Sequence, residues 1–464
     1  MKPPRVFGHV DRLSRALQPP RVNIRACLAA TGISPTLEAN ELIQKAQNDS
    51  TSASSQQLFR FSFGKSPFSV PRVLQESLRQ NVHQNSYLPV MGLPKLREAI
   101  GAAHGRPMED VIIGPGSKEL LFLSLFAVYP PATVFLPVPS WVSYFPQAMM
   151  SDHHVHWVKT RLVDRFVPSS HALDMAFSTS KIGKVLILNY PNNPTGCSAS
   201  PAQLQAIAAV CRKHKVLVIS DEVYAHTTHY CGSATSLFTH RPPSIEEYYP
   251  EGTIVTSSIS KAFGAGGWRL GYAFLPEGLS AVKNAICAAA SETYSAASAP
   301  IQHASVSAFL PSRELDLLAL RQRQILRLTS RMVMKTLKDA CPSALAPPPD
   351  GAFYMYIDFS LSPRAKREGN DMASAEVFAR VQKETGVVLL PGSVFGEYPS
   401  NPWTARLAFV DLDGEKALSM LEGREENLDK EIEGGRLDEL CEGEGGWGVH
   451  MREGVRRLAE YMNS

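Results

Sequence analysis

Short apolar runs rich in β-branched residues alternate with helical patterns between Asp110 and Phe274. Strands that alternate with helices form a mainly parallel sheet with helices on both faces. We therefore predict a three-layer α/β/α fold around a seven-stranded sheet, and such sheets bind ligands beyond the carboxyl ends of their strands. The predicted strands are Val111–Ile113, Thr133–Leu136, Val155–Val158, Lys184–Asn189, Val216–Ser220, Thr253–Ser257 and Gly271–Phe274.

Two helices stand out from the rest of the chain. Ser200 is suited to cap the first, and Pro201 fits its first turn. The second is long and rich in arginine, and it begins after about Pro311. Three short strands follow it, so we expect a second, smaller α+β unit. The apolar residues at helical spacing are Leu204, Ile207, Ala208 and Cys211 in the first helix, and Leu318, Ile325, Leu328 and Met332 in the second. The three strands are Phe353–Ile357, Val387–Leu390 and Ala405–Val410.

These patterns divide the chain into three parts. We expect residues 1–68 to be a leader and arm that packs with the small domain, residues 69–311 the large domain, and residues 312–464 the small domain. Within the last part, Glu422 to Glu444 carry ten acids against three bases. Such a stretch buries little apolar surface, so we predict a solvated acidic insertion over residues 422–446, with a functional acidic tail as the alternative.

Composition limits the classes of partner. Hydrophobic residues make up 44% of the 464 residues, charged residues 20%, and the formal net charge is only +3. This charge gives no electrostatic case for binding nucleic acid or an acidic membrane surface. No apolar run approaches the roughly 20 residues that span a bilayer. We expect small-molecule partners, with neither nucleic acid nor membrane.

The cysteines and the N-terminus bear on location. Seven scattered cysteines without a CxxC pair favour a reducing compartment, which we take to be the cytoplasm. The first 26 residues hold five arginines and one acid, Asp11, as a mitochondrial presequence would. However, they contain four prolines and little serine, so a leader without a targeting role is the preferred interpretation.

Lys261 lies in the sequence Ser257-Ser258-Ile259-Ser260-Lys261, directly after a predicted strand. A lysine becomes a nucleophile when burial or a neighbouring cation lowers its pKa. Ser258 and Arg269 flank it, and both side chains are suited to bind a phosphate. A surface lysine beside a flexible glycine-rich loop is the plainer alternative.

Asp221 closes another predicted strand, in Ser220-Asp221-Glu222-Val223-Tyr224. A carboxylate in a cleft can keep a heteroaromatic nitrogen protonated, which turns a pyridine ring into an electron sink. Tyr224 is placed to donate to an oxygen on the same ring. By itself, an aspartate at this place is more often a helix N-cap.

Three further motifs follow strands. In Asn189-Tyr190-Pro191-Asn192-Asn193-Pro194-Thr195-Gly196, two prolines and a glycine fix a turn that presents an amide. In Gly114-Pro115-Gly116-Ser117-Lys118, small residues open a helix whose N-terminus can bind an anion. Trp141 is suited to stack on a flat ring. Each of these motifs alone is also compatible with an ordinary turn or core residue.

Histidines occur in two groups, His153, His154 and His156, and His226 with His229. A metal site needs three or four ligands in fixed geometry. We expect these histidines to be solvated or packed, and no metal to be bound.

Together and in this order, the motifs resemble the class I/II aminotransferases, the fold-type I pyridoxal-phosphate enzymes of the aspartate aminotransferase superfamily. The resemblance runs from about Leu58 to Val410 and resumes in the last helix. It implies pyridoxal 5′-phosphate held as a Schiff base on Lys261, which also serves as the catalytic base. It further implies that Asp221 pairs with the pyridine nitrogen, and that Asn193 and Tyr224 bind the phenolic oxygen. The phosphate would be held by Gly116, Ser117, Lys118, Ser258 and Arg269, and Trp141 would stack on the ring.

The resemblance also assigns three residues outside these motifs. Tyr87 matches a tyrosine that reaches the phosphate in the neighbouring subunit, which implies a homodimer with shared sites. Arg406 matches the arginine that binds the substrate α-carboxylate, together with Asn193. Gly64 matches a glycine whose backbone lines the substrate pocket.

The implied reaction is ping-pong transfer of an amino group from an L-amino acid to a 2-oxo acid. A carbon–sulfur lyase or a synthase on the same scaffold remains open, as does a regulator that senses a ligand. For the regulator, the first 60 residues lack a helix-turn-helix pattern. Lys118 favours acidic or broad amino donors, whereas Leu88, Phe395 and Gly351–Tyr354 would favour an apolar pocket.

Overall fold

The computed structural model describes residues 25–39, 41, 57–229, 236–238, 241–396, 401–424, 435 and 437–464. The chain divides into a short unit, Met1–Ile33, and a main unit, Ser34–Ser464. In the short unit the described residues contain helix α1, Ala26–Thr31. The hydroxyl of Thr31, its last residue, donates to the Cys27 carbonyl over 2.6 Å. Most of the arginine-rich leader lies outside the described residues.

The main unit contains one large sheet of seven strands in the order β2-β8-β7-β6-β5-β3-β4. Strands β7, β6, β5, β3 and β4 are mutually parallel, and β8 runs antiparallel to both β7 and β2. The predicted mainly parallel sheet is thus confirmed. The first and last residues of each predicted strand lie within two positions of those of the observed strand. These strands are β2 (Val111–Gly114), β3 (Ala132–Val138), β4 (His154–Lys159), β5 (Gly183–Asn189), β6 (Leu217–Asp221), β7 (Thr253–Ser258) and β8 (Gly271–Phe274).

Helices follow the strands, as the alternating pattern predicts. The helix that begins at Pro201 carries a complete capping box, in which Ser200 accepts from the Gln203 amide and the Gln203 side chain accepts in return. The helices of this part are α2 (Arg72–Asn81), α3 (Pro94–His104), α4 (Ser117–Phe126), α5 (Tyr144–Met150), α6 (Ser170–Thr179), α7 (Pro201–His214), α8 (Ile259–Ala262), α9 (Ser280–Thr293) and α10 (Ala299–Ser305).

A second core surrounds the C-terminal half of the predicted arginine-rich helix. A three-stranded antiparallel sheet of order β11-β12-β9 packs there, beside a parallel pair formed by β1 and β10. Phe59 and Phe61 are buried in this core with Trp403 and Trp447. Its elements are β1 (Phe59–Arg60), β9 (Tyr354–Asp358), β10 (Val387–Val388), β11 (Leu390–Pro391), β12 (Thr404–Ala408), α11 (Arg313–Ala340), α12 (Pro363–Glu368), α13 (Ser374–Thr385), α14 (Gly414–Met420), α15 (Asp438–Glu442) and α16 (Val449–Asn463).

The prediction of a solvated insertion over residues 422–446 is wrong for its C-terminal part. Leu437 and Cys441 are only 1% exposed and belong to the second core. The average composition of the segment is acidic, but residues four apart share one face of a helix. Helix α15 therefore buries an apolar face, while Asp438 and Glu442 lie near Arg331 and Lys335 of α11 at 3.8 and 3.5 Å. Residues 425–434 and 436 lie outside the described residues.

Within the described ranges, no helix is long and apolar enough to cross a membrane.

Candidate active site

A cavity of about 560 Å³ lies at the carboxyl ends of the parallel strands. Asn189, Asp221 and Ser258 end the adjacent strands β5, β6 and β7, so the sheet itself places these three side chains side by side. Most of the site residues expected from sequence line this one cavity. They are Gly64, Ser117, Lys118, Trp141, Asn193, Asp221, Tyr224, Ser258, Lys261, Arg269 and Arg406.

Lys261 lies on α8, the short helix that follows β7. Ser258 caps this helix, its hydroxyl accepting from the Ser260 amide over 3.2 Å. The Lys261 ammonium donates to the Gly64 carbonyl over 2.7 Å and lies 5.6 Å from the centre of the Tyr224 ring. Burial, together with the positive charge of Arg406, lowers the pKa of Lys261 to about 8. A substantial fraction of this lysine is therefore neutral and nucleophilic near physiological pH.

Asp221 faces the same cavity and is 3% exposed. One carboxylate oxygen accepts from the Tyr144 hydroxyl over 2.7 Å, and the backbone carbonyl accepts from the Asn189 amide over 2.7 Å. Burial raises the pKa of Asp221 to about 6, although the hydrogen bond from Tyr144 favours the charged form. A cation placed against this carboxylate would reverse the cost of its burial.

Asn193 and Arg406 form the opposite wall. The Asn189 side-chain oxygen accepts from the Asn193 backbone amide over 2.8 Å, which fixes the turn after β5. The Asn193 side-chain oxygen accepts from Arg406 Nη1 over 2.9 Å, and Nη2 donates to the Ser62 carbonyl. Arg406 is 1% exposed, and its Nε has no hydrogen-bond partner among the described residues. A buried guanidinium with an unused donor is suited to receive a carboxylate.

The rim near α4 is suited to an anion. Gly116 precedes this ten-residue helix with φ +101°, and no side chain within the described structure caps its first amides. Arg269 donates to the Pro115 carbonyl over 3.2 Å, and a Cβ atom on Gly116 would lie 2.2 Å from its Nη2. Glycine at position 116 thus lets the guanidinium approach the helix N-terminus. The Lys118 ammonium lies 5.1 Å from the centre of the Trp141 ring at the same rim.

Two of the expected site residues do not line the cavity. Gly116 is packed against the guanidinium of Arg269, which itself lines the cavity. Tyr87 is 95% exposed and lies outside the cavity of its own chain. Of the apolar residues that would favour a hydrophobic pocket, Tyr354 lines the cavity, whereas Leu88 and Phe395 are not among its lining residues.

Sequence reasoning missed Tyr144, and it named Tyr354 only as part of a stretch that would favour an apolar pocket, without its partner Tyr224. Tyr144 bonds Asp221 across 77 positions of sequence, and Tyr354 bonds Tyr224 across 130. No local pattern indicates such pairs, because each residue looks like an ordinary aromatic in its own segment. The amide of Asn189 was visible in its motif, but only the sheet register places it beside Asp221. Further lining residues are Ser34, Thr36, Leu37, Phe63, Lys65 and Ser66.

Four of the five histidines named above, His153, His156, His226 and His229, pack against rings or contact backbone groups, whereas His154 is exposed. His153 accepts from the Ala132 amide over 3.1 Å and donates to the Leu125 carbonyl over 2.9 Å, and His229 contacts the Ala352 carbonyl over 2.9 Å. In the described part of the chain, no three His, Cys, Asp or Glu side chains are grouped to hold a metal.

Comparison with known proteins decides the family. The family model described as aminotransferase class I and II matches residues 57–416. The chain belongs to the class I and II aminotransferases. It is 28% identical over 385 residues to an asparagine–oxo-acid transaminase of Streptococcus mutans, covering 80% of this chain and 92% of that protein. It is 30% identical over 380 residues to a probable aspartate/prephenate aminotransferase of Thermus aquaticus, covering 80% and 88%. Aspartate aminotransferase from Thermus thermophilus with maleate superposes with a TM-score of 0.73 at 25% identity, covering 89% of this chain and 98% of that one.

This aminotransferase is therefore a pyridoxal-phosphate-dependent transaminase, with the fold-type I architecture expected from its motifs. The lyase and regulator alternatives are not favoured. The residues present fit the cofactor: a lysine of lowered pKa and a buried carboxylate share a cavity with an uncapped helix N-terminus and an arginine. These are the groups that a reactive aldehyde, a ring nitrogen and a phosphate require.

Proposed function

We propose that the enzyme transfers an amino group from an L-amino acid to a 2-oxo acid, with Lys261 as the base that takes the Cα proton. The observation that carries this is the Lys261 amine, which shares one cavity with Asp221 and Arg406 and has a pKa of about 8. A base with a pKa close to the working pH is suited to accept and return a proton. Bound pyridoxal phosphate supplies the electron sink for the pair left on Cα.

The chain's own residues then hold the cofactor in one orientation. Asp221 keeps a proton on the ring nitrogen, and Asn193 and Tyr224 donate to the phenolic oxygen. Trp141, which lines the same cavity, would pack against the ring. The phosphate is held by Gly116, Ser117, Lys118, Ser258 and Arg269, which combine helix-terminal amides with two cations.

Arg406 and Asn193 bind the substrate α-carboxylate, beside the Gly64 backbone. The unused Nε of Arg406 and its burial support this role, because a carboxylate would complete its hydrogen bonds. Fixing the carboxylate also fixes which Cα bond faces Lys261. The two half-reactions then follow in ping-pong order at the same site.

Dicarboxylic amino donors fit the cavity best. Lys65 lines it and is not among the residues assigned to the phosphate, so a second carboxylate would meet positive charge there. The similar protein from Thermus aquaticus carries the name of a probable aspartate/prephenate aminotransferase, which supports a dicarboxylic donor. We place the enzyme in the amino-acid metabolism of the cytoplasm.

We further propose a homodimer in which Tyr87 reaches the phosphate site of the second subunit. Its 95% exposure and its absence from the lining of its own cavity support this arrangement. We also propose the division into an arm to residue 68, a large domain over 69–311 and a small domain over 312–464. The burial of Phe59 and Phe61 in the C-terminal core supports the place of the arm.

The purified enzyme should be incubated with 2-oxoglutarate and a panel of amino donors. We expect glutamate and the 2-oxo acid of the donor in equal amounts, fastest with aspartate, and no product with Lys261→Ala. Release of ammonia or thiol without glutamate would contradict transamination. Equal rates with acidic and apolar donors would contradict the proposed preference for dicarboxylic substrates.

A further inference from the structure

Tyr354 lines the cavity and contacts two of the residues proposed to act there. It begins β9 and is 2% exposed. Its hydroxyl lies 2.8 Å from the Tyr224 hydroxyl. The face of its ring lies under the guanidinium of Arg406, 4.5 Å from ring centre to Cζ. One side chain therefore touches both the tyrosine and the arginine of the proposed mechanism.

A third contact fixes the hydroxyl in place. A Cβ atom on Gly64 would lie 1.8 Å from the Tyr354 hydroxyl oxygen, so the backbone at Gly64 is packed against this ring. The same residue supplies the carbonyl that accepts from Lys261. Glycine at position 64 thus allows its own backbone to lie against both the Tyr354 ring and the Lys261 amine without steric conflict.

Either hydroxyl of the pair can be the donor, and the choice decides where the Tyr224 proton points. Burial raises the pKa of Tyr354 and Tyr224, so each keeps one proton at neutral pH. A hydroxyl donates once and can accept twice. If Tyr354 donates to Tyr224, the Tyr224 proton is left for an acceptor in the cavity, and the two bonds reinforce each other.

We propose that Tyr354 is a positioning residue: its hydroxyl donates to Tyr224 and aims the Tyr224 proton into the cavity, while its ring supports Arg406 in the orientation that binds a carboxylate. This inference rests on the roles proposed above for Tyr224 and Arg406. It predicts two separable effects, one on the cofactor ring through the hydroxyl and one on the substrate through the ring of Tyr354.

Three variants separate these effects. Tyr354→Phe removes the hydroxyl and keeps the ring, whereas Tyr354→Leu removes both. Tyr356→Phe is the matched control, because Tyr356 is buried on the same strand, donates its hydroxyl to Thr404 over 3.1 Å and is not among the cavity-lining residues. Each holoenzyme is titrated against pH by the visible absorbance of its bound pyridoxal phosphate, and KM and kcat are measured for one amino donor.

In Tyr354→Phe we expect the midpoint of the absorbance titration to rise by about 0.5 pH units, the effect of one weakened hydrogen bond. A weaker bond from Tyr224 leaves more negative charge on the ring oxygen, which raises the pKa of the nitrogen that joins Lys261 to the cofactor. KM should stay unchanged in this variant. In Tyr354→Leu we expect KM to rise severalfold as well, because Arg406 loses the ring beneath it. Tyr356→Phe should match the wild type in both measurements.

A Tyr354→Phe enzyme that titrates like wild type would overturn the hydroxyl role, and an unchanged KM in Tyr354→Leu would overturn the ring role. Failure of the proposed function has a different signature: the wild type itself would show no pH-dependent visible band, or Lys261→Ala would show the same one.

Discussion

At the scale of single residues, Asp221 shows how the fold sets chemistry that the sequence only permits. A carboxylate at a strand end is usually solvated and charged, but here Tyr144 and the sheet enclose it. Burial raises its pKa from the usual 3.8 to about 6. The carboxyl group is thus held at a cost that a bound cation can offset.

This shift predicts how stability depends on pH once the cofactor is removed. Between pH 3.8 and about 6 the folded protein binds more protons at Asp221 than the unfolded chain does. The free energy of unfolding should therefore fall as pH rises through this window. Relative to that of Asp221→Asn, it should fall by about 3 kcal/mol. Above about pH 6 the difference between the two proteins should stay constant. Urea unfolding of both proteins from pH 4 to 7.5 measures this. If the difference in free energy of unfolding between wild type and Asp221→Asn did not change with pH, burial would not raise the pKa of Asp221 as described.

Gly116 gives a second prediction at this scale. Gly116→Ala places a Cβ atom 2.2 Å from Arg269 Nη2 and should displace the guanidinium from the helix N-terminus. We expect the Kd for pyridoxal phosphate, measured by absorbance titration of the cofactor-free protein, to rise about tenfold. Gly105→Ala is the control, since Gly105 also has positive φ but open space around it. If Gly116→Ala and Gly105→Ala raised the Kd for pyridoxal phosphate equally, the weaker binding would come from backbone strain and not from displacement of Arg269.

The sequence predicted which residues lie in the site better than it predicted the hydrogen bonds between them. Motifs after strands identified Lys261, Asp221 and Asn193, because parallel strands bring their carboxyl ends to one edge. Tyr144 was not identified, and Tyr354 was named only as a candidate for an apolar pocket. Their partners Asp221 and Tyr224 lie far away in the chain, and only the packed structure pairs them.

At the scale of elements, hydrophobic periodicity was informative where one face of an element is buried. The strands of the large sheet other than the edge strand β4 are buried almost throughout, and their apolar runs were found to within two residues. The predicted strand Val387–Leu390 is instead two short strands that pair with different partners, β1 and β12. A run of four apolar residues cannot show such a change of partner.

Helix α15 shows the limit of composition. Its acids dominate any average over the segment, yet Leu437 is 1% exposed and packs in the second core. Leu437→Ala should lower the free energy of unfolding by about 2–4 kcal/mol, since it leaves a cavity in packed surroundings. Glu439→Ala, at an exposed position of the same helix, should change it little. Chemical denaturation compares the two, and a neutral Leu437→Ala would restore the interpretation of a solvated insertion.

At the scale of the whole molecule, the exposure of Tyr87 is the feature that a single chain leaves unexplained. Tyr87 is 95% exposed and does not line the cavity of its own chain, so a role in the site requires that a second subunit meets it. A twofold symmetric dimer would carry each Tyr87 to the partner's cavity.

Subunit exchange tests this arrangement. Lys261→Ala and Tyr87→Ala homodimers should each be nearly inactive. When the two are unfolded, mixed and refolded together, half of the dimers carry one intact site, so activity should return to about a quarter of wild type. A mixture no more active than its components would contradict shared sites, and Tyr87→Ala with full activity alone would exclude Tyr87 from the site.

The central claim is that the amine of Lys261, among all lysines of the chain, forms the covalent bond to pyridoxal phosphate. Borohydride reduces that carbon–nitrogen double bond to a stable single bond, and mass spectrometry of the digested protein then locates the label. We predict one labelled peptide, the one that contains Lys261, and no label in Lys261→Ala. A label on Lys118 or Lys65 instead, or a wild-type protein without any label, would contradict the account.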